Sequence, residues 1–320
     1  MKAGAGEIVL RFLAAPTDAT FSGRVHGGKV LEWIDKAGYA CATGWSGRYC
    51  VTAYVGDIHF SRPVEIGELV EVRAQLVHTG RSSMHVLLTV SSANPRDVEF
   101  TRATQCLTVF VAVDEKGASV AVPPWNPSSP DQVERQASVI GRIALRREIE
   151  TSMAQQSYSN AGTAPQQTLR FLAAPTDVNW GGKVHGGTVM RWIDDAAYVC
   201  AVGWSGQESI AVYAGGVRFY RPLLIGSVVE TEARLLYTGR TSMHVAVHVR
   251  SGSPRTQEME LTTHCLIVFV ALDEAQRAAP VRTWTPRSDE DVALERHAKH
   301  LIEIRARVDR VDNEPTPYTA

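Results

Sequence analysis

The chain has 320 residues, 44% hydrophobic and 21% charged, the balance of a folded globular protein long enough for two ordinary domains. Its 33 basic and 34 acidic side chains nearly cancel and form no long run of one sign, which argues against a nucleic-acid partner. No apolar stretch reaches the roughly 18 residues of a membrane span, and the first 16 residues show no cleavable-leader pattern. The cysteines number five, an odd count, and Cys106 and Cys265 lie in apolar strand-like runs; reduced thiols, a cytoplasmic location and no membrane insertion are expected.

The segment Arg11-Phe-Leu-Ala-Ala-Pro-Thr-Asp18 returns as Arg170-Phe-Leu-Ala-Ala-Pro-Thr-Asp177, an offset of 159 that then holds without a gap. Between residues 11–46 and 170–205, 24 of 36 positions are identical, so the chain is a duplicated domain. Two long copies are too few and too large for a stacked solenoid.

In chain order, each copy opens with a short apolar strand, Ile8 to Ala14 in the first, followed by a Pro-Thr-Asp loop and a Gly-Gly pair. Val30, Leu31, Ile34, Ala37, Gly38 and Cys41 then recur at helical spacing, predicting a largely apolar helix from about Gly28 to Thr43, closed by Gly44 and Gly47. Four strand-like runs follow, near 49–60, 68–79, 83–92 and 102–113, rich in Val, Thr, Leu and Phe. A helix apolar on most sides must be wrapped, and a curved antiparallel sheet around it does so economically. Each copy ends in a charged helix, about 130–153 and 289–309, with Ser129 or Ser288 near its start, and a Ser, Gln, Ala and Gly-rich linker covers 154–166. The expected organisation is a first domain over 1–127, its helix and linker over 128–166, a second domain over 167–286, and a final helix and tail over 287–320.

The chemistry concentrates at Val25-His-Gly-Gly28 and Val184-His-Gly-Gly187, each followed by an aspartate on the helix, Asp35 or Asp194. A helix N-terminus presents unpaired N–H groups and partial positive charge, and glycine lets a ligand approach them. A carbonyl that becomes an oxyanion during acyl transfer needs such donors. Asp35 lies eight residues beyond Gly27, roughly 12 Å along the axis, so one helix cannot serve one reacting carbonyl with both groups. Two helices packed antiparallel would bring the Gly terminus of one copy beside the Asp of the other. An aspartate on an apolar helix is costly to bury unless paired or useful. His26 and His185 serve either the site or their own turns, and Gly27 and Gly186 suit turn geometry as well as an oxyanion. Arg81, Ser82 and Ser83, with Arg240, Thr241 and Ser242, follow tight turns and suit phosphates; Arg62 and Arg221 are second-tier phosphate candidates. Trp33, Trp45, Trp192 and Trp204 read as packing. No His-Glu-x-x-His or paired Cys-x-x-Cys occurs, and no catalytic metal is expected.

On the Pro-Thr-Asp loop, Val-His-Gly-Gly, Ile34-Asp35, Phe60-Ser-Arg-Pro63 and Thr79-Gly-Arg-Ser-Ser-Met84, the chain resembles the hotdog-fold acyl-CoA thioesterases, most closely the tandem cytosolic acyl-CoA hydrolases. The resemblance covers about residues 8–127 and 167–286. It implies an α+β fold of two tandem hotdog domains paired as an intramolecular dimer, hydrolysis of acyl-CoA to acid and CoA, no cofactor beyond the CoA of the substrate, and a homo-oligomer of three chains. It also implies that the helix Asp acts as base or nucleophile, that the first Gly of His-Gly-Gly polarises the carbonyl, and that a loop Asn and a strand Thr assist. Carried onto this chain, one set is Asp35 and Thr52 with Asn179, His185 and Gly186. The other is Asp194 with Thr20, His26 and Gly27, with Ala211 at the position equivalent to Thr52, and a single site is expected to carry most of the activity. A hydratase of the same fold would carry a His-x-x-x-Gly-x-x-Pro pattern, absent here; a non-catalytic acyl-CoA sensor would have lost the helix aspartates, which both remain.

Overall fold

A computed structural model describes residues 6–19, 23–56, 58–97, 99–159, 161–256 and 258–312, the last five as backbone. By its contacts the chain forms two units. The first holds residues up to Gly141 with Asn179–Gly181 and His185–Arg191; the second holds Arg142–Val178, Gly182–Val184 and Trp192 onward. Among the described residues no helix is long and apolar enough to cross a membrane, and the five cysteines are buried and free.

The first unit contains β1 (Glu7–Leu13), α1 (Gly27–Ser46), β2 (Cys50–Val55), β3 (Ile58–Phe60), β4 (Leu69–Thr79), β5 (Ser83–Ala93), β6 (Thr101–Ala112) and the start of α2 (Pro130–Ala154). Its strands run antiparallel in the order β1-β4-β5-β6-β2, with β3 also on β6. Val70, Val72, Ala74 and Leu76 of β4 and Met84, Val86, Leu88 and Val90 of β5 are buried at every second residue, as a sheet with one core face requires. Against that face α1 turns Val30, Leu31, Ile34, Ala37, Cys41 and Ala42 inward. Burial of Val30, Leu31 and Ile34 contributes about 1.5–3 kcal/mol each. This is the helix-in-sheet arrangement expected of a hotdog.

The helix runs past its expected end. Gly44 lies inside it, and the stop is Gly47, whose left-handed φ of 63° lets its N–H reach back to the Thr43 carbonyl at 2.8 Å. The Pro-Thr-Asp loop is a short 3-10 turn in which Asp18 accepts the Ala15 N–H at 3.0 Å and meets Lys29 at 3.1 Å. The run expected over 49–60 is interrupted between β2 and β3 in the first copy and continuous in the second.

The second unit contains β7 (Gln166–Leu172), α3 (Gly186–Ser205) from Trp192 on, β8 (Ser209–Phe219), β9 (Val228–Thr238), β10 (Ser242–Gly252), β11 (Glu260–Ala271) and α4 (Asp289–Asp312). Its order is β8-β11-β10-β9-β7. Here the outer face of the sheet is buried as well. Leu236, Ala246 and Leu266 pack under Ile149 and Met153 of α2 and Leu294, Ala298, Leu301 and Ile304 of α4. The segment expected as a linker is tied to α4: Asp291 accepts the Thr163 N–H at 3.0 Å and the Thr163 hydroxyl at 2.7 Å.

Candidate active site

Asp35 sits midway along α1, on the buried side of the helix, and is 2% exposed. Three donors meet its carboxylate. Thr52 Oγ1 donates to Oδ1 at 2.6 Å, Gly187 N–H donates to Oδ2 at 2.8 Å, and His185 Nδ1 lies 2.5 Å from Oδ2. Thr52 reaches inward from β2 just before the register of β2 against β6 shifts between Thr52 and Tyr54, an irregularity of the kind that re-aims side chains.

His185 and Gly186–Arg191 belong with the first unit, so residues of both sequence copies meet around Asp35 within it. Two close approaches make this possible. A Cβ on Gly28 would fall 2.7 Å from Arg191 Cα, and one on Gly187 would fall 2.7 Å from Glu32 Cα, so only glycine fits at either point. The pairs 28 with 191 and 32 with 187 run in opposite directions, the antiparallel approach that the spacing of Gly and Asp demanded. Arg191 Nε fastens the crossing to Glu32 Oε1 at 2.7 Å.

The two glycine amides divide the work. Gly187 N–H is spent on Asp35, whereas among the described residues Gly186 N–H meets no acceptor. A methyl group on Gly186 would lie 3.1 Å from both Asp35 Oδ2 and Thr52 Oγ1. The backbone at Gly186 therefore faces these two side chains with nothing between. A carboxylate only accepts, so the short His185 contact places the imidazole proton on Nδ1; Gly187 N–H, 3.3 Å from that nitrogen, bonds Asp35 instead. The Gly28 N–H approaches His26 Nδ1 in the same way, at 3.2 Å.

Asn179 Oδ1 accepts the Gly181 N–H at 2.8 Å, closing a turn in the loop before His185. Its side chain lies beside the Tyr49 hydroxyl; burial pushes the Tyr49 pKa up and the neighbouring Asn179 amide opposes the push. Around it gather aromatic groups not foreseen from the sequence as a cluster. Trp180, 70% exposed, stacks on Tyr39 with ring centroids 4.6 Å apart and meets His185 edge-on at 5.9 Å, and Tyr39 lies 6.3 Å from Tyr49. Thiol chemistry is disfavoured, because burial raises the Cys41, Cys106 and Cys200 pKa values to about 12.

The other expected residues are distributed as follows. Arg81 is exposed beside half-buried Ser82 and Ser83 at the start of β5, and the register Thr52↔Phe110↔Met84 puts that start at the same end of the sheet as Thr52, about 10 Å across two strands. Arg240, Thr241 and Ser242 open β10 of the second unit in the same way. Arg62 meets Glu68 at 2.7 Å and Ser92 at 2.8 Å, and Arg221 pairs with Glu260, so each has a carboxylate beside it in this structure. Asp194 is 3% exposed in α3, and Ala211 on β8 brings no hydroxyl. Thr20 lies outside the described residues. The tryptophans pack: Trp33 stacks on Phe12, Trp192 meets Phe171 edge-on, and Trp45 and Trp204 each donate to a backbone carbonyl at 3.0 Å.

The pattern of the thioesterase superfamily matches residues 22–99 and again 181–258. Over 321 residues the chain is 25% identical to the cytosolic acyl coenzyme A thioester hydrolase of Homo sapiens, covering 94% of this chain and 84% of that protein. Over 124 residues it is 32% identical to an uncharacterized acyl-CoA thioester hydrolase of Zymomonas mobilis, 39% of this chain and 83% of the relative. A putative oleoyl thioesterase from Lactobacillus plantarum shares the fold at a TM-score of 0.60 and 12% identity, covering 84% of this chain and 98% of that one.

Proposed function

The chain belongs to the thioesterase superfamily and is an acyl-CoA thioester hydrolase, and we propose that its chemistry runs at Asp35. The observation that carries this reading is a buried carboxylate, oriented by Thr52, His185 and Gly187, with the unspent Gly186 N–H beside it. A thioester whose carbonyl oxygen takes the Gly186 N–H presents its carbon to the carboxylate. Asp35 then either removes a proton from the attacking water or attacks directly, giving an anhydride that water opens; both routes end in acid and CoA thiol. The fixed N–H stabilises the oxyanion without reorganising, a contribution of about 3–4 kcal/mol for a single donor. Exposed Arg81 with Ser82 and Ser83, at the same end of the sheet, supplies the charge and hydroxyls suited to the CoA phosphates.

The set around Asp194 differs in two polar groups. The residue at the position of Thr52 is Ala211, and the loop residue at the position of Asn179 is Thr20. Asp35 therefore carries most of the turnover. Release of thiol from an acyl-CoA, followed with a thiol reagent, tests the assignment. The wild-type protein turns over, and Asp35→Asn lowers kcat by about two orders of magnitude or more, the scale of a lost general base. Near-normal kcat in a folded Asp35→Asn protein refutes it.

A further inference from the structure

Three residues that touch one another beside the Asp35 site differ together in the other copy. The aromatic ring of Tyr49 lies against the Gly181 backbone so closely that a Cβ there would fall 2.2 Å from Tyr49 Cζ. Gly181 N–H in turn holds Asn179 Oδ1 at 2.8 Å, and the Asn179 side chain lies beside the Tyr49 hydroxyl. At the equivalent positions of the second set stand Glu208, Ser22 and Thr20. Glu208 has a different use: its carboxylate accepts from the Tyr198 hydroxyl at 3.1 Å. By contrast the helix aspartate, the His-Gly-Gly turn and the tyrosine at 39 and 198 are the same in both copies. The three residues therefore change together, as do Thr52 and Trp180 beside them, where the other copy has Ala211 and Phe21, while the aspartate, the His-Gly-Gly turn and the tyrosine stay.

We propose that Tyr49 and Gly181 are positioning residues for Asn179, the flat ring on the bare glycine backbone fixing the loop so that the Asn179 amide is held at the Asp35 site. The proposal rests on the assignment of turnover to that site. A loop seated on a ring needs a residue with no side chain at the contact, which Gly181 supplies, and the Tyr49 hydroxyl at the edge of that ring lies beside the Asn179 amide it positions. Neither group touches the reacting atoms; both act through Asn179.

A double-mutant cycle tests this. Tyr49→Phe, which keeps the ring, and Gly181→Ala, which pushes the loop off it, are each made in the wild-type and the Asn179→Ala proteins, and kcat and KM for acyl-CoA hydrolysis are measured. In the wild-type background Gly181→Ala lowers kcat about tenfold or more and Tyr49→Phe by about three- to tenfold, with KM within threefold and thermal midpoints unchanged to a few degrees. In the Asn179→Ala background each substitution changes kcat by less than twofold. Equal losses in both backgrounds, or no loss in the wild-type background, overturn the proposal. If Asn179→Ala itself leaves kcat intact, it is the role of Asn179 in the underlying functional reading that fails, and the positioning claim falls with it.

Discussion

At the scale of single residues, the site is a carboxylate met by short donors, and its hydroxyl donor makes a prediction of its own. Thr52 Oγ1 holds Oδ1 of Asp35 at 2.6 Å. Thr52→Val, similar in shape but without the hydroxyl, is expected to lower kcat about tenfold, the loss of roughly 1–1.5 kcal/mol of orientation from one hydrogen bond; steady-state kinetics at saturating acyl-CoA checks it, and an unchanged kcat removes Thr52 from the account. Asp35, His185 and the glycine pair are legible in the sequence because the duplication displays them twice and because helix geometry forbids Asp35 and Gly27 from sharing a carbonyl. Tyr49 and Trp180 are not. Their place beside the site depends on how a loop folds back, and the trace in the sequence is that Tyr49 and Glu208 differ, as do Trp180 and Phe21. Arg62 is a second-tier phosphate candidate in the sequence, and its pairing with Glu68 is not legible there because it forms only through the turn between β3 and β4.

At the scale of elements, apolar periodicity places the helices and strands to within a few residues, but it misplaces the end of α1. Gly44 reads as a stop and lies within the helix, exposed, with nothing within 4 Å of the position a Cβ would take. Gly44→Ala is therefore expected to stabilise the protein by about 0.5–1 kcal/mol, seen as a higher urea midpoint; a lower midpoint contradicts the observed helix end. Gly28 carries the opposite expectation. Its Cβ would collide with the Arg191 backbone at 2.7 Å, so Gly28→Ala costs about 1–3 kcal/mol, the range of overpacked cores, and the same urea series reads both. The close approach of the helix starts is anticipated in kind, since the chemistry needs it. The second glycine's role as a hydrogen-bond donor to Asp35 is not, because periodicity says nothing about which of two adjacent amides is already spent.

At the scale of the whole molecule, duplication produced two units that bury their sheets differently. In the second, α4 and the later part of α2 cover the outer face; that face carries His248 and His264 and α4 carries His297, where the first copy has Thr89, Gln105 and Ser138. Burial, reinforced by neighbouring positive groups, lowers these histidines from an ordinary value of 6.5 to about 3, about 4 and about 4. The unfolded chain then binds protons that the folded unit refuses, so stability is fully present above pH 6.5 and falls as the pH drops from there toward 4. The urea midpoint is expected to decrease steadily from pH 7 to 4.5, and His264→Gln, which copies the first unit, to flatten that decrease; a pH-independent midpoint rules it out. The duplication also makes the central claim directly measurable, because both aspartates persist while only the set assigned to Asp35 keeps a Thr and an Asn. The decisive measurement is kcat for thiol release by Asp35→Ala and Asp194→Ala, each folded. The account predicts a loss of about a hundredfold or more for Asp35→Ala and turnover within about threefold of wild type for Asp194→Ala, whereas equal losses, or the larger loss at Asp194, would contradict it.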